Sequence, residues 1–398
     1  MKNEIIKQCY QKSIELLIRN STKDGFLAAT PKGRATMPSI HYDWVYGRDS
    51  SLCSIGATMT GNKELLRIAK RTLLSLARYQ TKYGQIPNAL SEKQKKVEYY
   101  FLSSVDATLW WLIALKYYHQ YSLDKKTFKL LEPRIKKAIR WLNYQTGGET
   151  NLLVQGQGSD WADIMPYSGH VLYSNVLWYW VQKLYNLKNG ATLTESGINN
   201  LFYPFPSKAN ALFYKNNFMY RQQREYFIKK IKPTPYYLSH VSIYSAGQHC
   251  DVYSNILAIL FNLPDTKLKN KIYSYFIKNK VNQLYPINVL CPPIFKNDKE
   301  YQEIMERHKL NLPWQYHNGG IWPYVGGFWV MMLKKIGYRK LAIAELARLA
   351  EANKIKNWQF NEWFNGRTGK PMGMPGQSWN AATFLLAYHY LKGDFKII

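Results

Sequence analysis

The chain has 398 residues, of which 46% are hydrophobic and 15% aromatic, so it can bury a large core. It carries 54 Lys and Arg against 26 Asp and Glu, a formal net charge of +28. Because this charge is spread along the whole chain and no nucleic-acid-binding motif accompanies it, nucleic acid is not expected to be the main partner. The 13 Trp and 32 Tyr are typical of a protein that lines a large cleft with rings, or of an unusually Tyr-rich core.

The four cysteines, Cys9, Cys53, Cys250 and Cys291, show no CxxC spacing. This argues against a zinc site and a disulfide framework and favours a reducing compartment. The first residues lack the unbroken apolar stretch of a signal peptide, and no run of about twenty apolar residues is present. We therefore expect a cytoplasmic protein with no membrane partner and no metal or other cofactor. The sequence does not indicate the oligomeric state.

Helical periodicity dominates the chain and predicts about eleven helices. They are expected near residues 4–19, 50–60, 63–80, 104–120, 126–145, 170–187, 252–262, 267–279, 321–337, 339–353 and 377–391. The stretch 209–245 has weak strand signals in its aromatic pairs and could hold short strands or a hairpin. Many helices in series without a βαβ rhythm predict an all-α fold, and the absence of a fixed repeat favours a closed toroid over a solenoid. No linker is visible, so a single domain over residues 1–398 is expected.

The first polar cluster in chain order is Trp44 with Arg48 and Asp49, just before a predicted helix. Arg48 and Asp49 could form bidentate hydrogen bonds to sugar hydroxyls, with Trp44 as a stacking platform. Alternatively, Asp49 caps the helix that follows. Asp106 is a second candidate for substrate contact, and its alternative is a capping box with Ser103.

Two acids flank a tryptophan in the segment Asp160-Trp161-Ala162-Asp163. This pattern suits sugar chemistry, because an indole ring stacks on a pyranose face and a carboxyl group can protonate a glycosidic oxygen. At most one of the two acids is expected to face the substrate directly. A turn capped by aspartate is the alternative.

Two further segments near the C-terminus combine polar and aromatic groups. Tyr316-His317-Asn318-Gly319-Gly320-Ile321-Trp322-Pro323 precedes a predicted helix, and its histidine is either a site residue or a structural one. Glu362 lies just before the turn signal Asn365-Gly366 and is not placed for a helix cap or an ion pair within a helix, which favours a catalytic base. Gln377, in the Gly- and Pro-rich stretch that follows, is a further candidate for substrate binding.

The ordered set of these segments resembles two related groups of proteins, the glucosidase domain of glycogen debranching enzymes (amylo-α-1,6-glucosidase) and the neutral/alkaline invertases. The resemblance covers residues 25 to 391, and Tyr-His-Asn-Gly-Gly-x-Trp-Pro is its most specific element. The segments that carry it are Trp44…Gly47-Arg48-Asp49, Gly84-Gln85-Ile86-Pro87-Asn88, Ser104-Val105-Asp106-Ala107-Thr108-Leu109-Trp110, Trp161-Ala162-Asp163, Tyr316-His317-Asn318-Gly319-Gly320-Ile321-Trp322-Pro323 and Glu362…Gly366-Arg367-Thr368-Gly369.

The resemblance implies an (α/α)6 toroid and metal-free hydrolysis of a terminal α-glucosidic bond with inversion. It places the general acid on Asp163 and the base on Glu362, which we expect to lie roughly 6.5–9.5 Å apart. Asp163 would stay protonated in apolar surroundings, whereas Glu362 would be ionised. Asp160 departs from both groups and is a supporting carboxylate or an alternative acid. The residues implied to hold the non-reducing sugar are Arg48, Asp49, Asp106, His317 and Asn318.

Two departures leave the substrate open between sucrose, an α-1,6-glucoside and another oligosaccharide or disaccharide. The invertases follow their acid with two arginines, whereas here Ile164 and Met165 follow Asp163. The debranching enzymes carry an additional N-terminal domain that is not expected here. Two alternatives to an enzyme are a catalytically silent carbohydrate-binding protein of the same fold and a basic protein that binds polyanions through its +28 charge.

Overall fold

A computed structural model describes residues 3–31, 42–91, 93–99, 104–205, 208–243 and 245–397. Fourteen α-helices occur in these residues. They are α1 (Glu4–Arg19), α2 (Gly47–Met59), α3 (Lys63–Arg78), α4 (Val105–Ser122), α5 (Lys125–Tyr144), α6 (Leu172–Leu184), α7 (Lys188–Leu201), α8 (Lys208–Asn216), α9 (Phe218–Ile228), α10 (Val252–Leu260), α11 (Thr266–Lys278), α12 (Pro323–Lys335), α13 (Arg339–Trp358) and α14 (Ser378–Lys392).

Six of the helices form a closed inner ring. Around this ring α2 packs on α4, α4 on α6, α6 on α10, α10 on α12 and α12 on α14, and α14 returns to α2. Helices α1, α3, α5, α7, α11 and α13 lie outside and alternate with the inner helices along the chain. The pair α8 and α9 is inserted between α7 and α10. The predicted all-α (α/α)6 toroid is therefore confirmed.

The two rings differ in their sequences because they differ in exposure. The inner helix α14 buries thirteen of its fifteen residues and has no polar face. The outer helix α3 buries only one face, and Asn62 caps it by accepting hydrogen bonds from the backbone N–H groups of Glu64 and Leu65. Glycines let the inner helices approach closely: a Cβ on Gly56 of α2 would lie 2.3 Å from the carbonyl oxygen of Ala382 in α14.

Thirteen short strands lie in the connections and form small antiparallel sheets. They are β1 (Ser21–Thr22), β2 (Gly25–Phe26), β3 (Val45–Tyr46), β4 (Ala89–Ser91), β5 (Lys96–Glu98), β6 (Thr146–Gly147), β7 (Leu152–Leu153), β8 (His170–Val171), β9 (His240–Val241), β10 (Cys250–Asp251), β11 (Leu290–Cys291), β12 (Trp363–Phe364) and β13 (Pro371–Met372). Several precede inner helices directly: β3 leads into α2, β8 into α6 and β10 into α10. Because an outer helix returns the chain between inner helices, the N-termini of the inner helices face one end of the toroid.

The stretch 209–245 contains one short strand, β9, whereas a hairpin of two strands is not found among its described residues. The aromatic residues at 213–220 lie in helices α8 and α9, Tyr236 and Tyr237 precede β9, and strand β9 pairs with β8 from another part of the chain. The physical reason is tertiary packing, which overrides the strand preference of aromatic residues. Tyr214 is buried and its hydroxyl donates to the carbonyl oxygen of Asn200 at 2.6 Å, and Phe227 is buried as well.

No helix of the described segments is both long and apolar enough to cross a membrane. All four cysteines are buried and free. Cys250 and Cys291 nevertheless face each other across the strand pair β10 and β11, a proximity that the sequence did not suggest.

Candidate active site

The predicted site residues converge at the end of the toroid where the inner helices begin. Arg48 and Asp49 lie in the first turn of α2, and Asp106 lies in the first turn of α4. Trp322 is the N-cap of α12 and Gln377 is the N-cap of α14. The fold thus brings together side chains that are up to about three hundred residues apart in sequence.

Arg48 is the centre of a buried ionic network. Its Nε donates to Asp49 Oδ1 at 3.0 Å, and its Nη1 lies 3.4 Å from Asp106 Oδ2. Asp106 is fully buried and also accepts hydrogen bonds from Ser104 Oγ at 3.0 Å and Tyr173 OH at 3.4 Å. Burial acts against the charged guanidinium, but the two carboxylates keep the pKa of Arg48 above its ordinary value.

Neither Asp49 nor Asp106 is the N-cap of its helix, so the alternative roles as helix caps are not found. The N-cap of α2 is Tyr46, so Asp49 does not cap that helix. The N-cap of α4 is Ser104, whose side chain makes no capping hydrogen bond, and Ser103 of the proposed capping box lies outside the described residues. Asp49 and Asp106 instead hold Arg48, whose side chain remains 13% exposed.

Three of the predicted stacking rings fill the core beneath the site. Trp44 and Trp322 are almost completely buried, and Trp161 retains only 5% of its exposure. Trp161 packs edge-on against Trp322, with ring centroids 5.5 Å apart. In this structure the Trp44 ring belongs to the packed interior, and its role as a platform for a sugar stays a prediction.

Asp160 supports the loop that carries Asp163. Its Oδ2 accepts a hydrogen bond from Gln155 Nε2 at 2.7 Å, and its Oδ1 accepts one from the backbone N–H of Ala162 at 2.8 Å. Burial, reinforced by the charge of Asp106, raises the pKa of Asp160 to about 7. Since both oxygens already bind partners in the loop, the structure favours a supporting carboxylate at this position.

Asp163 is the accessible acid of the pair, with 38% of its side chain exposed. The predicted apolar surroundings are therefore not found, because the loop presents this side chain to solvent. Its Oδ1 lies 4.0 Å from Nδ1 of His317. Burial and the charge of Arg48 lower the pKa of His317 well below its ordinary value, so the imidazole is neutral.

Glu362 lies buried beside the sheet formed by β12 and β13. Tyr42 OH lies 3.0 Å from its Oε1 and 2.9 Å from its Oε2, and the backbone N–H of Met374 donates to Oε2 at 2.8 Å. Burial raises the pKa of Glu362 to about 7; these hydrogen bonds lower it, whereas the charges of Asp49 and Asp163 raise it. The expectation of an ionised Glu362 thus holds only above about pH 7.

The segment around His317 forms a compact group of rings. The His317 ring lies parallel to Trp322 at 5.3 Å and close to Tyr316 at 4.1 Å. Trp322 Nε1 donates to the carbonyl oxygen of Tyr316 at 2.9 Å, which fixes the turn. His317 and Tyr316 are thereby held in place next to Asp163.

The side chains of Asn318 and Gln377, two predicted substrate contacts, form hydrogen bonds within the protein. The Asn318 side chain accepts from the backbone N–H of Ile294 at 2.7 Å and donates to the carbonyl oxygens of Ile294 and Asn311. Gln377 donates to the carbonyl oxygen of Met374 at 3.2 Å. Both are buried, so their amides organise loops around the site.

Sequence reasoning missed several residues of the site. Tyr42 holds the carboxyl of Glu362, and Tyr173 contacts Asp106. Trp379 stacks on Tyr324 at 4.2 Å and lies under the guanidinium of Arg48, 5.6 Å from the ring centroid. The position of Tyr324 and Trp379 in the sequence could have identified them, because both lie in the first turn of an inner helix, where the other site residues also lie.

The site combines a buried carboxyl group, a solvent-accessible carboxyl group and a cation held by two carboxylates. Within the described ranges, no group of three or more His, Cys, Asp or Glu side chains is placed to bind a metal ion. One carboxyl that can donate a proton and another that can accept one are the groups needed for acid–base hydrolysis.

The sequence matches known proteins most strongly in its C-terminal part. Residues 235–393 match the family described as alkaline and neutral invertase. Alkaline/neutral invertase C, mitochondrial, of Arabidopsis thaliana is 27% identical over 148 residues, which are 36% of this chain and 22% of that protein. Cytosolic invertase 1 of Oryza sativa subsp. japonica is 23% identical over 89% of this chain and 72% of its own length. The family match includes His317 and Glu362 but not Asp163.

Solved structures share the fold along nearly the whole chain. A GH63 mannosylglycerate hydrolase from Thermus thermophilus, in complex with Tris, superposes with a TM-score of 0.67 at 14% identity, over 94% of this chain and 98% of its own. A GH78 family rhamnosidase of a Bacillus species superposes with a TM-score of 0.64 at 12% identity, over 97% of this chain and 35% of its own. The chain therefore has the (α/α)6 fold of these glycosidases and is related in sequence to the alkaline and neutral invertases.

Proposed function

We propose that the protein is a glycoside hydrolase that cleaves a terminal α-glucosidic bond with inversion. The observation that carries the proposal is Glu362, a buried carboxyl with a pKa of about 7 that Tyr42 and the Met374 N–H orient. The charge of Asp163 contributes to that pKa, which supports a common cleft for the two groups. A titratable group tuned towards neutral pH in a cleft is typical of acid–base catalysis.

In the proposed mechanism Asp163 protonates the glycosidic oxygen as the bond to the anomeric carbon breaks. Glu362 removes a proton from a water molecule that attacks the opposite face of the sugar, and the product anomer is inverted. Arg48 lies close enough to His317 for its charge to lower the pKa of the imidazole. We propose that these two residues and Asp49 bind hydroxyls of the non-reducing glucose, while Asp160 and Asp106 position the acid-bearing loop and Arg48.

The substrate proposed first is sucrose, because the matching relatives carry the name invertase. An α-1,6-glucoside is the second candidate, supported by the resemblance to the debranching glucosidases. We also propose that the chain forms one catalytic domain. The cytoplasmic location stays a prediction, since the relatives are named as cytosolic, mitochondrial or chloroplastic.

The test measures glucose release from sucrose, isomaltose, panose, maltose and trehalose by the wild-type protein and three variants. Asp163→Asn and Glu362→Gln each remove one proton-transfer group and are expected to lower kcat by about 100-fold or more. Glu64→Gln, an exposed position on α3, is the matched control and should keep full activity. The anomer formed first, followed by NMR, tests inversion.

Hydrolysis that survives in both Asp163→Asn and Glu362→Gln would contradict the proposed mechanism. Sugar binding without any release above the Glu362→Gln blank would instead support a catalytically silent carbohydrate-binding protein.

A further inference from the structure

A cavity of about 530 Å³ lies against the loop that follows Asp163. Its walls come from Pro166 and Tyr167 of that loop, from the end of α9 and the residues that follow it, and from the segment 294–302. This volume is in the range of sites that bind small molecules. The aromatic wall is well packed, because Tyr167 lies against His240 with ring centroids 5.1 Å apart.

The same loop borders both the cavity and the candidate active site. Asn311 fixes this loop beside the candidate active site: its Nδ2 donates to the carbonyl oxygen of Ile164 at 2.9 Å, and its Oδ1 accepts the backbone N–H of His317 at 3.0 Å. Asp163 directly precedes Ile164, and Pro166 of the cavity wall follows two residues later. A general acid protonates the oxygen that leaves with the departing group, so that group must lie next to the acid. The cavity beside the acid-bearing loop is therefore placed to receive it.

The cavity carries an excess of positive charge. Lys229, Lys230 and Lys299 line it, and Glu300 is the acidic residue among the lining side chains. The charge of Glu300 is partly compensated, because its Oε1 accepts the backbone N–H of Gln248 at 2.7 Å and lies 3.1 Å from Nδ1 of His249. Three cations against one compensated carboxylate favour a ligand with a negative charge.

We infer that this cavity is the leaving-group subsite and that its three lysines select a leaving group bearing a phosphate or a carboxylate. The inference rests on the proposed function, since it presumes that Asp163 is the acid. Each lysine supplies a point charge on a flexible stem, which suits a phosphate ester or a hydroxy acid better than an uncharged sugar.

The first experiment compares kcat/KM for sucrose with that for sucrose phosphorylated on the 6-hydroxyl of its fructose unit and for glucosylglycerate. Either anionic substrate should exceed sucrose by about tenfold, the sum expected for three partly exposed charge pairs. Comparing the phosphorylated sucrose with glucosylglycerate shows whether the cavity prefers a phosphate or a carboxylate on the leaving group. In the triple variant Lys229→Gln/Lys230→Gln/Lys299→Gln the ratio of anionic to neutral substrate should fall towards one. Lys340→Gln, exposed on α13, is the control and should keep the wild-type ratio.

A wild-type ratio at or below one, or a triple variant that is folded by circular dichroism and keeps the wild-type ratio, would overturn the inference. A second experiment separates failure of the inference from failure of the proposed function. Calorimetry measures the binding of inorganic phosphate to Glu362→Gln with and without the triple lysine change. Lysine-dependent phosphate binding in a protein that hydrolyses no glycoside overturns both the proposed function and the leaving-group assignment. Hydrolysis without charge preference and without phosphate binding overturns the inference alone.

Discussion

Tyr42 and Glu362 form a pair in which a phenol hydroxyl tunes a buried carboxyl group. The hydrogen bond from Tyr42 OH lowers the pKa of Glu362, which burial raises to about 7. A base must be ionised, so kcat/KM should fall as the pH drops through this value. In Tyr42→Phe the stabilising hydrogen bond is lost, the pKa of Glu362 rises and the acidic limb of the profile moves to higher pH.

A pH profile of kcat/KM for wild type and Tyr42→Phe measures this shift. Tyr83→Phe, a change at an exposed tyrosine, is the control and should leave the profile in place. A Tyr42→Phe limb at the wild-type position, or at lower pH, would show that Tyr42 does not stabilise the ionised base.

Glu362 should also reduce stability above neutral pH. Its pKa in the folded protein is about 7, against an ordinary value of 4.5, so the folded state binds the proton more tightly than the unfolded state. The stabilising effect is complete below about pH 4.5 and is lost as the pH rises through 7. Glu362→Gln should therefore raise the free energy of unfolding at pH 8 by up to about 3 kcal/mol, and by little at pH 5.

Urea denaturation of wild type and Glu362→Gln at pH 5 and pH 8 gives this difference directly. Equal effects of the substitution at the two pH values would contradict a raised pKa of Glu362 in the folded protein.

At the residue scale the sequence pointed more clearly to the charged residues that the fold brings together than to the aromatic ones. Acids are scarce in this basic chain, so Asp160, Asp163 and Glu362 stood out by contrast. Tryptophan is abundant in both core and cleft, and no local signal shows that Trp44 is buried while Trp379 lies under Arg48. That distinction depends on how the connection before α2 and the helix α14 pack in the closed ring.

At the scale of elements, the hairpin β12–β13 holds Glu362, the proposed base, in position. Gly373 follows β13 with a φ of +69°, and a Cβ there would lie 2.4 Å from Glu362 Oε2. Gly373→Ala combines the cost of the left-handed backbone with displacement of the carboxyl group. We expect kcat to fall by about tenfold or more, since small shifts of a catalytic group are costly.

Gly337→Ala is the matched control. Gly337 also has a positive φ, of +94°, but a Cβ there would have no atom within 4 Å. Backbone strain should cost both variants roughly 1 kcal/mol of stability, the close contacts of a Cβ at position 373 should add to the loss in Gly373→Ala, and only Gly373→Ala should lose activity. Thermal unfolding and kcat measured together decide this, and equal activity of the two variants would contradict the role given to Gly373.

The helices were predictable where the sequence shows helical periodicity or a long run of apolar residues. All eleven predicted helices are present, including the apolar inner ones, but α7, α8 and α9 were missed. Helix α7 contains two glycines and five residues that are Asn or Thr, and their low helix propensity predicts a loop. Its buried Ile198 and Leu201 pack on the toroid and supply the stability that local preference does not.

At the scale of the whole molecule, the absence of a repeat favoured a closed toroid, but the sixfold ring and the sharing of the site among distant helices could be expected only from the resemblance to known families. Local patterns do not encode which inner helix neighbours which. Contacts such as Gly56 with Ala382 and Gly327 with Thr383 bring backbones together across more than fifty residues of sequence. Nothing in the sequence distinguishes Gly56 and Gly327 from the other glycines, and only the folded structure shows their role in packing.

The net charge of +28 acts on the whole toroid and gives the last prediction. Like charges over one compact body repel, and unfolding separates them, so the repulsion destabilises the folded state. Salt screens this repulsion, because the Debye length falls from about 30 Å at 0.01 M to about 10 Å at 0.1 M ionic strength. The melting temperature should therefore rise between about 10 mM and about 300 mM NaCl, and KCl should act alike. A melting temperature that falls with salt would mean that exposed ion pairs, such as Arg67–Glu64 and Lys136–Glu132, outweigh the repulsion spread over the surface.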